Sequence, residues 1–202
     1  AKTLGKKYEE MNLIICHIGG GISVTAHRRG KMIDSNDIAQ GDGPMAPTRC
    51  GALPVKDVVK MCYSGKFTER QMYDKITKTG GLVDHLGTSD ARDVCKMIDE
   101  GSQYAKLIYD AMIYQIAKQA GAMAAALEGE VDGIILTGGI SYDKYVDDEL
   151  TRKLKFIAPV TVMAGEFEME ALAAGAIRVL SGEEEPKTYT GVPCWQGFDF
   201  DK

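Results

Sequence analysis

Short apolar runs rich in β-branched residues open the chain. Residues 13–18 and 22–25 form two such runs, separated only by Gly19, Gly20 and Gly21, a pattern that predicts a β-hairpin. A turn at 28–31 and a run at 31–35 add a third antiparallel strand, after a stretch at 1–10 that reads as the end of a polar helix. Residues 36–54 are rich in glycine and proline and predict a long irregular loop, which in a compact domain is usually functional or disordered. Short helices fit 55–63 and 68–75. A glycine-marked loop at 80–87 leads to a helix capped by Ser89 or Asp90 and stopped by Gly101. Ile108, Met112, Ile116, Ala120, Met123 and Leu127 recur at three- and four-residue steps, so 103–127 reads as one long helix with a single apolar face. The continuous apolar run at 133–137 suits a strand buried on both faces, and a helix at 144–155, a strand at 160–163 and a helix at 168–180 complete an alternating pattern. Three antiparallel strands followed by this alternation predict an α/β domain with a mixed sheet. The tail at 188–202 carries one Trp and two Phe without periodicity and is expected to lie across the surface.

Composition narrows the function classes. Hydrophobic residues at 45% and charged residues at 26% describe an ordinary globular chain of 202 residues, so neither disorder nor a membrane span is expected. A net charge of −5 argues against a nucleic-acid or membrane-surface partner, which usually needs a basic face. The five cysteines are scattered and never form Cys-x-x-Cys, which excludes a disulfide framework or a zinc pattern and fits reduced thiols in the cytoplasm. No signal peptide directs the chain to a membrane, and it starts Ala-Lys-Thr without Met, inside what reads as a helix, which suggests a fragment.

Candidate chemistry lies at the glycines. Gly19, Gly20 and Gly21 exceed what a tight turn needs, so the loop can curl and aim successive N–H groups at an anion, with phosphate the obvious guest. There is no Gly-x-x-x-x-Gly-Lys-Ser/Thr loop, and the triplet sits between strands rather than opening a helix, so any phosphate is bound strand to strand. Leu136-Thr137-Gly138-Gly139-Ile140-Ser141 supplies a second glycine-rich strand end, at the place where open α/β sheets take ligands. Two such ends in one domain suit a nucleotide gripped from both sides. Arg49, among small residues in the long loop, suits a planar, charge-dispersed phosphoryl group better than a mere surface role. Asp90 and Arg92 also suit a simpler role, capping a helix and pairing on it.

Several motifs occur in a telling order: His17-Ile18-Gly19-Gly20-Gly21-Ile22-Ser23-Val24, Pro47-Thr48-Arg49-Cys50-Gly51, Leu86-Gly87-Thr88-Ser89-Asp90-Ala91-Arg92-Asp93, Leu136-Thr137-Gly138-Gly139 and Glu166-Phe167-Glu168-Met169-Glu170-Ala171-Leu172-Ala173. Together they resemble the acetate and butyrate kinase family, its butyrate branch more than the acetate branch, whose members carry Asn where this chain has Gly20. The resemblance implies a ribonuclease-H-like domain of the hexokinase and actin superfamily at 1–185, the second of two such domains, followed by a tail at 186–202. It implies phosphoryl transfer between ATP and a short-chain carboxylate, giving an acyl phosphate and ADP with Mg²⁺ as cofactor. His17, Ile18, Gly19, Gly20 and Gly21 would then hold phosphates, and Asp90, Ala91, Arg92, Gly138, Gly139, Ile140 and Ser141 would line the nucleoside pocket, which extends to Asp143. Arg49 would stabilise the transition state and Glu168 would help hold Mg²⁺, with Glu166 and Glu170 as open alternatives. The implied partners are the missing N-terminal domain of the same parent chain and further copies in a homo-oligomer. The competing classes are an actin-like or chaperone-like ATP-driven module and a non-catalytic interaction domain.

Overall fold

The computed structural model describes residues 1–192. One five-stranded sheet organises them, with β1 (Asn12–Ile18), β2 (Ile22–Arg28), β3 (Lys31–Ser35), β4 (Gly133–Gly138) and β5 (Val160–Ala164) in the order β3-β2-β1-β4-β5. β1 runs antiparallel to β2 and parallel to β4, and β4 runs parallel to β5. The three antiparallel strands expected at the start and the two later strands therefore share one mixed sheet. Helices α1 (Val55–Cys62), α2 (Glu69–Thr77), α3 (Leu82–Leu86), α4 (Ala91–Asp99), α5 (Gln103–Ala126), α6 (Lys144–Leu154) and α7 (Glu168–Leu180) fill the intervals.

The core lies on one side of this sheet. Ile14, Cys16 and Ile18 of β1, Ile22 and Val24 of β2, and Ile134 and Leu136 of β4 are buried against the apolar stripe of α5, which includes Met112, Ile116 and Ala120, and against Val146 and Leu150 of α6. Each such Ile or Leu contributes about 1.5–3 kcal/mol by leaving water. β4 departs from the expectation of burial on both faces: Ile135 and Thr137 are only partly buried, so the strand alternates. The cause is the one-sided cover of α5 and α6, while the opposite face receives the segment before β1, where Tyr8 Oη lies 2.6 Å from His27 Nδ1.

Two other segments differ from expectation. Residues 1–10 form turns with a single 3₁₀ turn at Tyr8–Glu10, because Lys7 is extended and interrupts any helix. The glycine-marked stretch at 80–87 contains α3, whose first N–H groups find acceptors outside the helix: Leu82 N donates to Ala46 O and Val83 N to Pro47 O, at 3.3 and 3.0 Å. That contact holds the long loop at 36–54 in place. The loop's other anchor is Asn36, a buried side chain that accepts from Val24 N at 2.7 Å and donates to Ile22 O at 3.1 Å.

The chain divides into two compact units, Ala1–Glu166 and Phe167–Lys202. The first contains the sheet and α1–α6. The second contains α7, none of whose residues is buried. The tail at 188–202 is described only to Val192, where Tyr189 and Val192 are exposed, and the aromatic residues beyond lie outside the described residues.

Candidate functional site

The parallel strands β1 and β4 end beside a cavity of about 830 Å³. Gly19 and Gly20 line it from the end of β1, and Gly139 and Ile140 from the end of β4. Asp90, Ala91 and Arg92 enter from the N-terminus of α4. Pro47 comes from the long loop, and Glu166 from just beyond β5. Gly138 and Gly165 exchange both backbone hydrogen bonds at 3.1 Å each, which fixes Glu166 beside the end of β4. This is the carboxyl edge of the sheet, where ligands of open α/β folds bind.

The glycines here have different physical reasons. Gly138 adopts φ +95° and ψ 170°, a conformation essentially confined to glycine, and a Cβ there would meet the backbone of Ile18 at 2.5 Å. Gly20 and Gly139 need no such backbone, and among the described residues nothing beyond their chain neighbours lies within 4 Å of an added Cβ. They line the cavity, so what a side chain would obstruct there is the space a ligand would fill. A polyphosphate approached by backbone N–H groups fits that space.

Residues expected at the site sort as follows. Gly19, Gly20, Asp90, Ala91, Arg92, Gly139 and Ile140 come together on the cavity wall. His17, Ile18, Gly21, Gly138, Ser141 and Arg49 do not line it. Ile18 sits in the core, and Ser141 is buried with its hydroxyl donating to Thr137 O at 3.1 Å. His17 stands behind Gly19, its Nε2 3.4 Å from where a Cβ would be, with Glu166 Oε1 at 3.8 Å from the same point. Arg49 packs on Gly21, and its loop is tied to the glycines by Thr48 Oγ1 donating to Gly20 O at 3.2 Å. Glu168 and Glu170 belong to the second unit, in the first turn of α7. His27 and His85 are engaged elsewhere, with Tyr8 and Tyr104.

Asp90 does cap α4, accepting from Arg92 N at 2.9 Å, and its carboxylate also takes the Arg92 guanidinium. That guanidinium, with the backbone bond, draws the Asp90 pKa down to about 2. Both side chains still border the cavity, so capping and lining coexist.

Deeper in the wall, Asp143 caps α6 through Tyr145 N at 2.9 Å and accepts from Tyr109 Oη at 2.9 Å and Cys95 Sγ at 3.2 Å on its other oxygen. Burial raises the Tyr109 phenol well above its usual range, and burial with the Asp143 charge pushes the Cys95 thiol up to about 11, so both stay protonated donors at neutral pH. Tyr109→Phe should therefore remove a hydrogen bond to a charged group without leaving a cavity, costing about 1.5–3 kcal/mol. Thermal unfolding measures it, and an unchanged Tm would show that Asp143 does not depend on Tyr109.

Cys95, Lys96 and Asp99 also line the cavity, and sequence reasoning missed them. Ala91, Cys95 and Asp99 recur at four-residue steps, which places them on one side of α4, so the helical period carried that signal. Among the described residues no three His, Cys, Asp or Glu side chains gather as a metal cage. Mg²⁺ beside a nucleotide needs fewer, because it keeps waters and takes phosphate oxygens, and Glu166 offers a carboxylate at the glycine hairpin.

Comparison with known proteins gives this geometry a family. The acetokinase family matches residues 1–170. A probable butyrate kinase of Clostridium botulinum is 50% identical over 188 residues, covering 93% of this chain and 53% of the relative. Butyrate kinase 2 of Clostridium acetobutylicum is 51% identical over 189 residues, covering 94% and 53%. The chain thus spans about half the length of the curated relatives it matches. Among solved structures, acetate kinase of Porphyromonas gingivalis superposes with a TM-score of 0.81 at 24% identity, covering 89% of this chain and 51% of that one. Acetate kinase of Entamoeba histolytica gives 0.75 at 21% identity, covering 87% and 54%. At those identities the structures speak for the fold alone, which is the ribonuclease-H-like architecture expected from the motifs. By its sequence, the chain belongs to the acetokinase family.

Proposed function

We propose that this chain is the nucleotide-side domain of a butyrate-type carboxylate kinase, which moves a phosphoryl group between ATP and butyrate or a related short-chain carboxylate. The observation that carries the reading is the pair of glycines, Gly20 and Gly139, that face open space from two strand ends of one cavity. Its identity of 50% to a probable butyrate kinase supports the choice within the family.

In the proposed reaction a carboxylate oxygen forms a bond to the γ-phosphorus while the bond from that phosphorus to the bridging oxygen breaks, leaving ADP and an acyl phosphate. A carboxylate has no proton to lose, so no general base is required. His17 then serves the hairpin and not proton transfer. The protein's task is positioning and stabilisation of charge on the transferring group. Gly19 and Gly20 would hold the phosphates, the ends of α4 and β4 the nucleoside, and Arg49, seated on Gly21, the equatorial oxygens. Mg²⁺, when bound, would neutralise phosphate charge, and Glu166, which lines the cavity, is a carboxylate that would help hold it. A homo-oligomeric enzyme of the cytoplasm completes the proposal. Free thiols at Cys16, Cys50, Cys62 and Cys95 support that compartment. Among the described residues no helix is long and apolar enough to cross a membrane.

Calorimetry on this chain with Mg²⁺ and ADP tests the reading. Weak binding is expected, because water screens phosphate contacts where the second wall of the cleft is missing, and no ATP should form from butyryl phosphate. No heat at millimolar ADP would remove the nucleotide site from this domain. ATP formation would show that the substrate side is also present here.

A further inference from the structure

We infer that Gly21 is a positioning residue: its missing side chain is the seat of the Arg49 guanidinium. A Cβ on Gly21 would lie 1.4 Å from Arg49 Nη1, 2.7 Å from Cζ and 3.4 Å from Nη2, and these are its nearest neighbours. Gly21 is absent from the residues at positive φ, so its backbone does not demand glycine. What demands it is the arginine. The three consecutive glycines therefore divide their work, Gly19 packing against His17 and Glu166, Gly20 facing the cavity and Gly21 receiving Arg49.

The arginine's own loop makes the seat selective. Arg49 O accepts from Ala46 N at 3.1 Å, and Cys50 N donates to Ile76 O at 3.0 Å, so the backbone on both sides of the Arg49 side chain is held. Thr48 Oγ1 clamps the same loop to Gly20 O. With its root fixed, the side chain is free mainly at its far end, where Gly21 sits. Arg49 Nε is buried and has no hydrogen-bond partner among the described residues. A desolvated orphan donor of this kind is unfavourable unless something else uses it, which marks the guanidinium as held for a group not among its present contacts. A methyl on Gly21 would therefore displace the guanidinium and not the backbone, moving the arginine without deleting it.

That this displacement matters for phosphoryl transfer rests on the function proposed above; the seat itself does not. The test uses the full-length protein that contains this chain, as parent, Gly21→Ala, Arg49→Ala and the double variant. Two readouts are taken: kcat with ADP affinity, and the rate at which phenylglyoxal modifies Arg49, followed on its own peptide by mass spectrometry. Gly21→Ala should lower kcat by about 10²-fold, as misplacing a catalytic group by an ångström does, with ADP affinity and Tm retained. The same change should speed modification of Arg49. In the Arg49→Ala background Gly21→Ala should cost nothing more, because the side chain it collides with is gone. Unchanged modification of Arg49 in Gly21→Ala would overturn the seat, and so would a further fall in the double variant. Full kcat in Arg49→Ala would instead overturn the arginine's role in the proposed reaction, while faster modification in Gly21→Ala would still establish the seat.

Discussion

Arg49→Ala in the full-length protein should, under the proposed function, lower kcat and kcat/KM together by about 10²-fold or more, the loss seen when a preorganised donor to a developing oxyanion is removed. The expectation follows from where the guanidinium stands. It packs on the third glycine of the hairpin, beside the two that border the cavity, with Nε buried and unpartnered. A guanidinium whose Nε is already out of water before substrate arrives reorganises less during the reaction, and its charge acts most where negative charge spreads over three equatorial oxygens. Arg49→Lys should restore only part of the rate, since an ammonium lacks the planar fork and would not fill the flat seat on Gly21. Steady-state kinetics with butyrate and with the reverse substrates decides the matter. Near-normal kcat with a raised KM in Arg49→Ala would make the residue one that binds ground states.

Much of this arrangement is legible in the sequence, for reasons that are local. The hairpin, the third strand and α5 announce themselves through period-two and period-3.6 spacing, and the cap of α4 through Asp90. Both glycine-rich strand ends are visible as glycines after apolar runs. What stays hidden depends on pairs far apart in the chain. A run such as Ile134-Ile135-Leu136 cannot say that only one face will be covered, because that depends on where α5 and α6 pack. Leu82–Leu86 reads as loop because its helix is secured by carbonyls from residues 46 and 47. Asp143 gains its buried donors from Cys95 and Tyr109, 48 and 34 residues away, and no local pattern links them. The match of Gly21 to Arg49 is of the same kind. Glycine there looks like one of three equivalent turn residues until the guanidinium is seen lying on it.

Substituting the glycines one at a time should separate binding from folding. Gly20→Val and Gly139→Val add bulk into open space on the cavity wall, where among the described residues nothing beyond the chain neighbours lies within 4 Å of a new Cβ, so the folded chain has little to lose. Each should weaken ADP binding by at least about tenfold, or ~1.4 kcal/mol, with Tm nearly unchanged. Gly138→Ala should do the reverse. Its residue would be forced to φ +95°, at about 1–3 kcal/mol for the strained backbone alone. The new Cβ would also press on the Ile18 backbone at 2.5 Å, and strand β1 cannot yield there without losing its register with β4. A total of about 3 kcal/mol corresponds to a fall in Tm of roughly 6–12 °C for a chain of this size. Calorimetric titration and thermal unfolding of the three variants are sufficient. If Gly20→Val and Gly139→Val bind ADP like the parent, the space they face is not a phosphate or nucleoside subsite. If Gly138→Ala melts like the parent, the close approach of β4's end to Ile18 does not constrain this residue.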